Sequence, residues 1–217
     1  MPQTFKTIAF RFMCIGCLAA PAAAVSTSTY SSANCNFPDT GQNNCYDGTT
    51  QIGCPTSGNA FYGQDAQYAS SATKPRYTVR NPVGISSVTV DNRTGLMWVT
   101  NPVDAGIGAT YNWENAILAC ENNIGGAGTY AGYSDWRLPK VRELASIVDY
   151  GLSTVPPVNT TAFMNTVSDY YWTSTTHAVS PYPYLYAWSV NFGTMSGQVG
   201  SWTKATLYHV RCVRGGP

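Results

Sequence analysis

The sequence predicts an α+β fold with two helices packed on short antiparallel sheets, braced by disulfides. Two helical patterns occupy the middle of the chain, one opening at Asn112 and one at Pro139. The β-prone runs lie to either side of them, from Val88 to Val99 and from Tyr171 to Val213. Five cysteines follow residue 24, and a chain that uses cysteine in this way is expected to pair them outside the cell.

Residues 1–24 read as a secretory signal peptide. Lys6 and Arg11 precede the apolar run Phe12–Ala20, and Pro21-Ala22-Ala23-Ala24 offers small residues for cleavage before Val25. The run is too short for a membrane span, which needs roughly 20 apolar residues, and no later stretch qualifies. Acylation of Cys17 is the alternative, against which Cys14 occupies a place where an aliphatic residue is expected. Localisation is therefore expected to be secreted, periplasmic or cell-surface. Cleavage removes two basic residues and no acid, leaving 10 Lys+Arg against 11 Asp+Glu. With no bulk positive field, nucleic acid and anionic membranes are not expected partners.

Residues 25–76 are expected to form a leader and a small loop segment. Ser26–Ala33 is a Ser/Thr run with too little apolar content to pack. The Gly- and Pro-containing stretch from Cys45 to Cys54 reads as a tight turn closed by a Cys45–Cys54 bridge. That pairing leaves Cys35 free, or available to another chain in a homo-oligomer. A metal site there is disfavoured, because the segment holds no His and its spacing is unlike a zinc knuckle.

The main domain is expected over residues 77–217. Val88-Thr89-Val90 and Leu96-Met97-Trp98-Val99 flank Asp91-Asn92-Arg93-Thr94-Gly95, whose residue types suit a turn, so the stretch is a hairpin. Asn112 caps a helix in which Trp113, Ala116, Ile117 and Cys120 share one face. A glycine-rich loop follows. Pro139 suits the first position of the second helix, where its missing N–H costs nothing. Val141, Leu144, Ala145 and Val148 then face the core, and Gly151 stops the helix. Tyr171–Thr175 and Trp188–Phe192 are strands, with Ser189 and Asn191 turned away from the buried side. In the last strand, Leu207–Val213, Tyr208, Val210 and Cys212 share one side, with His209 and Arg211 on the other. Cys120 and Cys212 are thus both directed inward.

No nucleophile elbow, zinc-binding His-Glu-x-x-His or phosphate loop occurs. His177 and His209 read as ordinary strand residues, so no enzyme activity, cofactor or metal is expected. After Asp169 the chain has no Asp or Glu, which disfavours a calcium site in the C-terminal half. What remains is an aromatic surface: Tyr182, Tyr184 and Tyr186 in a Pro-punctuated loop, together with Asn191, Trp202 and Lys204. Aromatic faces stack on sugar rings or partner side chains with little entropy to lose. The competing reading is that these rings cover the protein's own loops. Arg211 and Arg214, with Lys204, add a small basic edge.

Four segments carry a family resemblance: Asp91–Trp98, Gly132-Tyr133-Ser134-Asp135-Trp136-Arg137-Leu138-Pro139, Tyr171–Thr175 and Val210–Gly215. In this order, over roughly residues 77–215, the chain resembles the Lcl C-terminal domain family of bacterial secreted domains. The Arg-Leu-Pro start is also similar to the formylglycine-generating enzymes. Both resemblances imply a C-type-lectin-like fold, and with it a Cys120–Cys212 bridge from first helix to last strand. The reactive cysteine pair of the formylglycine-generating group has no counterpart here beyond Cys212. Trp98, Trp136, Arg137 and Pro139 mark the structural motif, with Arg137 expected to tie loop carbonyls at the corner. Adhesion to a glycan or a surface protein is the expected function. The alternatives are a self-assembling structural subunit and a degenerate enzyme of the formylglycine-generating type.

Overall fold

The computed structural model describes residues 39–68, 76–83, 86–178 and 184–215. The signal peptide, the Ser/Thr leader, Cys35 and Tyr182 lie outside the described residues. The strands are β1 (Cys45–Tyr46), β2 (Gln51–Ile52), β3 (Tyr77–Val83), β4 (Ser86–Asp91), β5 (Met97–Val99), β6 (Tyr170–Thr176), β7 (Tyr186–Asn191), β8 (Val199–Thr203) and β9 (Val213–Arg214). The helices are α1 (Trp113–Leu118) and α2 (Val141–Ala145). Three antiparallel sheets result, ordered β1-β2, β3-β4-β5-β9 and β6-β7-β8. The α+β expectation holds. Among the described residues no helix is long and apolar enough to cross a membrane.

The β4–β5 hairpin forms where the sequence places it. Thr89 faces Trp98 across it, and Gly95 N–H donates to Asp91 C=O at 2.8 Å with Gly95 at φ +72°. Asp91 Oδ1 accepts from Arg93 N–H, closing the turn a second time. Asn112 caps α1 by accepting from Asn115 N–H at 2.9 Å. Past Leu118 the helix widens into a π turn, Ala119–Asn123, which carries the fully buried Cys120. Cys120 is bonded to Cys212, and Cys45 to Cys54.

α2 departs from expectation. Pro139 is not its first residue: Lys140, itself extended, caps it, and Pro139 stays outside the helix with its carbonyl accepting from Ser174 N–H on β6. Glu143 closes the first turn instead, its carboxylate accepting from Lys140 N–H at 2.7 Å. The α geometry ends at Ala145, and shorter-range turns carry Ile147 and Val148 into the core beside Leu144. Gly151 is a contact point, not a helix stop. A side chain there would strike the Gly41 carbonyl, because residues 39–44 run across Asp149–Gly151. Tyr150 N–H donates to Thr40 C=O in that crossing.

Two apolar clusters form the core. One surrounds Trp172, Trp136, Ile107, Ile124 and the Cys120–Cys212 bridge. The other surrounds Trp98, Phe163, Leu144, Tyr171 and Val213. Trp98 and Trp172 are fully buried, and truncating either to Ala would cost roughly 3–5 kcal/mol.

The last expected strand is mostly irregular. Only Val213–Arg214 is strand, while Tyr208 bridges Tyr111 and His209 bridges Tyr171. Val210 and Cys212 are buried as expected, but Arg211 is buried too, at 1% exposure. The loop bearing Met164 and Thr166 covers the side that alternation assigns to solvent.

Candidate ligand-binding face

The β6-β7-β8 sheet decides where the expected ligand residues go. In its register Ala187 faces Trp202, Tyr186 faces Thr203 and Trp188 faces Ser201. Successive side chains alternate between faces, so Trp202 and Tyr186 lie on opposite sides. The six residues expected together therefore divide. Tyr186 joins His177 and Trp188 on one face, with the His177 ring 6.3 Å from Tyr186 and 4.9 Å from Trp188. Tyr184 stands out at the preceding turn, 66% exposed. Asn191 is a correction: it is buried, and its Oδ1 accepts from Gly193 N–H at 2.7 Å to shape the turn after β7. Ser189 is buried as well. Both faces of β7 are covered, which alternation of residue type could not reveal.

The Trp202 face gathers residues from distant parts of the chain. Trp202 lies 5.2 Å from Tyr170 and 6.1 Å from Tyr208, ring to ring, and Tyr170 lies 5.1 Å from Tyr208. The floor beneath them is Gly200, where an added side chain would meet Trp202 Nε1 at 3.2 Å. Trp202 keeps 40% of its surface in solvent, and Tyr170 and Tyr208 are half-buried. Burial pushes the Tyr208 hydroxyl up from its ordinary pKa, with Tyr170 and Asp169 adding to the effect. It therefore stays a neutral donor and acceptor at physiological pH. At the end of β8, Lys204 Nζ sits 4.4 Å over the Trp113 ring, a cation–π contact. Sequence reasoning found Trp202 and Lys204 but missed Tyr170 and Tyr208, whose half-exposure depends on the register and on Gly200.

A concavity of about 370 Å³ lies around His209 and Tyr171, walled by Val103, Ile107, Asn165 and Thr166. Burial lowers the His209 pKa, partly offset by Asp169, whose Oδ2 is 3.9 Å from Nε2. Beneath it Arg211 donates to Val99 C=O, Thr100 C=O, Met164 C=O and Thr166 Oγ1 at 2.8–3.0 Å. Burial pushes the Arg211 pKa down to about 10, so the cation persists at neutral pH. Arg211 therefore offers nothing to a basic surface edge. Arg214 is occupied by Asp135 and lies 3.9 Å over the Tyr133 ring. Among the described residues no group of three or more His, Cys, Asp or Glu is placed to hold a metal ion.

The structural motif converges on the corner before α2. Trp136 Nε1 donates to Tyr130 C=O at 3.0 Å. Arg137 forms a two-pronged pair with Glu143 at 2.7 and 2.8 Å and reaches one carbonyl, that of Gly215. Tying several carbonyls together, the role expected of Arg137, falls to Arg211. The backbone of Arg137 also pairs with Val213 through two bonds of 2.9 Å. The Arg-Leu-Pro segment thereby extends the sheet past β9.

The family model described as the Lcl C-terminal domain matches residues 87–214, a span that holds the hairpin, the corner, the β6 segment and the C-terminal Arg-Cys-Val-Arg. The chain belongs to the Lcl C-terminal domain family. A search of curated proteins finds no match. Within the matched span of this Lcl C-terminal domain, Trp98, Trp136, Trp172 and Cys212 are buried. The β8 strand with Trp202 lies within the matched span but belongs to the exposed face.

Proposed function

We propose that this Lcl C-terminal domain is an exported, non-catalytic binding module that holds a glycan on the Trp202–Tyr170–Tyr208 cluster. The observation that carries the reading is that cluster itself: three rings kept partly open to solvent above a side-chain-free floor at Gly200. A sugar ring presents an apolar C–H face and a hydroxyl rim. The rings suit the former, and the Tyr208 hydroxyl suits the latter. Two disulfides support export to an oxidising compartment. The Cys120–Cys212 bridge from the first helical segment to the C-terminal segment supports a C-type-lectin-like reading of the α+β fold.

The test is a glycan array on the intact chain, followed by titration of the best hit with Trp202→Ala and, as the opposite-face control, Tyr186→Ala. The reading expects Trp202→Ala to weaken binding at least about tenfold, as loss of a stacking ring does, and Tyr186→Ala to leave it unchanged. Binding is expected to survive chelator and 0.5 M salt, since stacking and neutral hydrogen bonds are screened little. Loss in chelator, or full binding by a folded Trp202→Ala protein, would remove the site from this face.

A further inference from the structure

Of the four edges that the two larger sheets present, three are closed or blunted. The outer edge of β6 is covered by His209 and Pro139: His209 N–H donates to Tyr170 C=O, Trp172 N–H to His209 C=O, and Ser174 N–H to Pro139 C=O. β9 is flanked by Arg137. β3 carries Arg80 and Pro82 and a register shift between Arg80 and Val83, the devices by which edges avoid pairing. β8 differs. Its five residues, Val199-Gly200-Ser201-Trp202-Thr203, hold no charge, no proline and no bulge.

The hydrogen-bond parity of β8 is fixed by its flanks. Asn191 N–H donates to Gln198 C=O and Lys204 N–H donates to Leu185 C=O. In an antiparallel pair bonded positions alternate, so Gly200 and Trp202 bond to β7. Val199, Ser201 and Thr203 therefore turn their N–H and C=O groups outward. Among the described residues the only backbone partner of these outward groups is Thr206 N–H, on Thr203 C=O.

We propose that β8 is a self-pairing edge, joining two copies of this chain antiparallel about a two-fold axis through Ser201. In that register Ser201 exchanges N–H···O bonds with Ser201 of the second copy, and Thr203 N–H meets the second copy's Val199 C=O. The parity required is the one the strand presents. Trp202 falls opposite the second copy's Gly200, and each indole already lies across the glycine of its own strand. Lys204 falls opposite Gln198, so no like charges confront each other. The axis is perpendicular to the sheet and leaves both Trp202 clusters on one face of a six-stranded sheet. This pairing does not depend on what the cluster binds.

Stable interfaces bury about 1,200–2,000 Å², and a lone five-residue edge offers less, so association is weak, on the order of 100 μM. Sedimentation velocity on the intact chain from low to high concentration, under reductant mild enough to spare the buried bridge, measures it. Ser201→Pro removes one outward N–H and leaves every bond to β7 in place, and proline is tolerated on such an edge. By symmetry two bonds are lost, and dimerisation weakens about tenfold or more. Ser201→Lys, which keeps the N–H, sets two ammonium groups opposite each other and weakens association in a way that added salt partly restores. Amide exchange at Ser201 and Thr203 should slow as concentration rises, while Gly200 and Trp202, already bonded to β7, should not change. Association undiminished in both folded variants would overturn the proposal. So would a chain that stays monomeric at millimolar concentration, or concentration-dependent protection anywhere but the outward amides.

Discussion

Arg137 sits at the corner before α2 with 31% of its side chain exposed, gripping the Glu143 carboxylate. Arg211 sits near the C-terminus, 1% exposed, and every acceptor it holds is a neutral carbonyl or hydroxyl. The two guanidiniums carry the same donors, yet their surroundings make them different devices. At the corner the arginine matches a charge that titrates, and water shares in the interaction. In the core it organises dipoles, fixing the end of β5 to the Met164–Thr166 loop in a geometry only a planar fork satisfies. A buried cation of this kind has no single partner whose loss can be isolated. Removing it orphans four acceptors at once.

The contrast would break most visibly on Arg211. Arg211→Met should lower the unfolding free energy by about 3–5 kcal/mol, because buried acceptors left unpaired keep their full desolvation cost. Arg211→Lys should recover little of it, since one ammonium cannot span the four acceptors. Urea titration of both variants measures the loss. A loss below about 1 kcal/mol would mean that the Met164–Thr166 loop repacks without the fork.

Arg137→Ala should cost less, about 1–2 kcal/mol, because solvent already screens the pair. A double-mutant cycle with Glu143→Gln should show coupling between the two, and none between Arg137 and Arg211.

Acid separates the two arginines further. Burial alone would raise the Glu143 carboxyl, but the Arg137 hydrogen bonds and the Lys140 N–H outweigh it and hold the carboxyl below its usual value of 4.5. A depressed carboxyl stabilises above the unfolded pKa and loses that contribution as pH falls through its folded value. Wild type should therefore lose stability on acidification below about pH 4.5, and Arg137→Ala should flatten that slope. Arg211→Met, whose lost partners do not titrate, should leave the slope as it is. Unfolding midpoints between pH 6 and pH 3 decide the matter.

Arg214 gives the smallest effect. Asp135 is 59% exposed, although Arg214 holds its carboxyl below the ordinary range. Arg214→Gln should cost no more than about 1 kcal/mol, and less in high salt. A larger loss would point to the Tyr133 ring contact, not the ion pair.

Legibility in the sequence followed the range of the interactions. The hairpin around Asp91–Gly95 and the Asn112 cap depend on residues within a few positions of one another, and both stand as read. Cys120 and Cys212 were readable because each follows the face of its own local pattern. Pro139 misled because the rule for helix starts is local, while the carbonyl of Pro139 is claimed by Ser174 on β6. Asn191 and Arg211 misled for one reason. Alternation says which side of a strand a residue takes, but not whether another segment covers that side. The ligand face was half legible: Trp202 and Lys204 stood out by type, but Tyr186 was grouped with them although the β7–β8 register sends it to the opposite face.

By itself, then, the sequence determined the class of fold, its local caps and turns, the inward course of two cysteines and the family to which the chain belongs. These are set by short-range geometry and by residue types that few other conformations accommodate. Only the tertiary structure decided which polar residues are buried, which aromatic rings share a face, and that among the described residues the outer edge of β6 is covered while that of β8 is not. Those outcomes depend on register and on covering segments far away in the chain. A shift of one residue in either would reverse them without changing any local pattern.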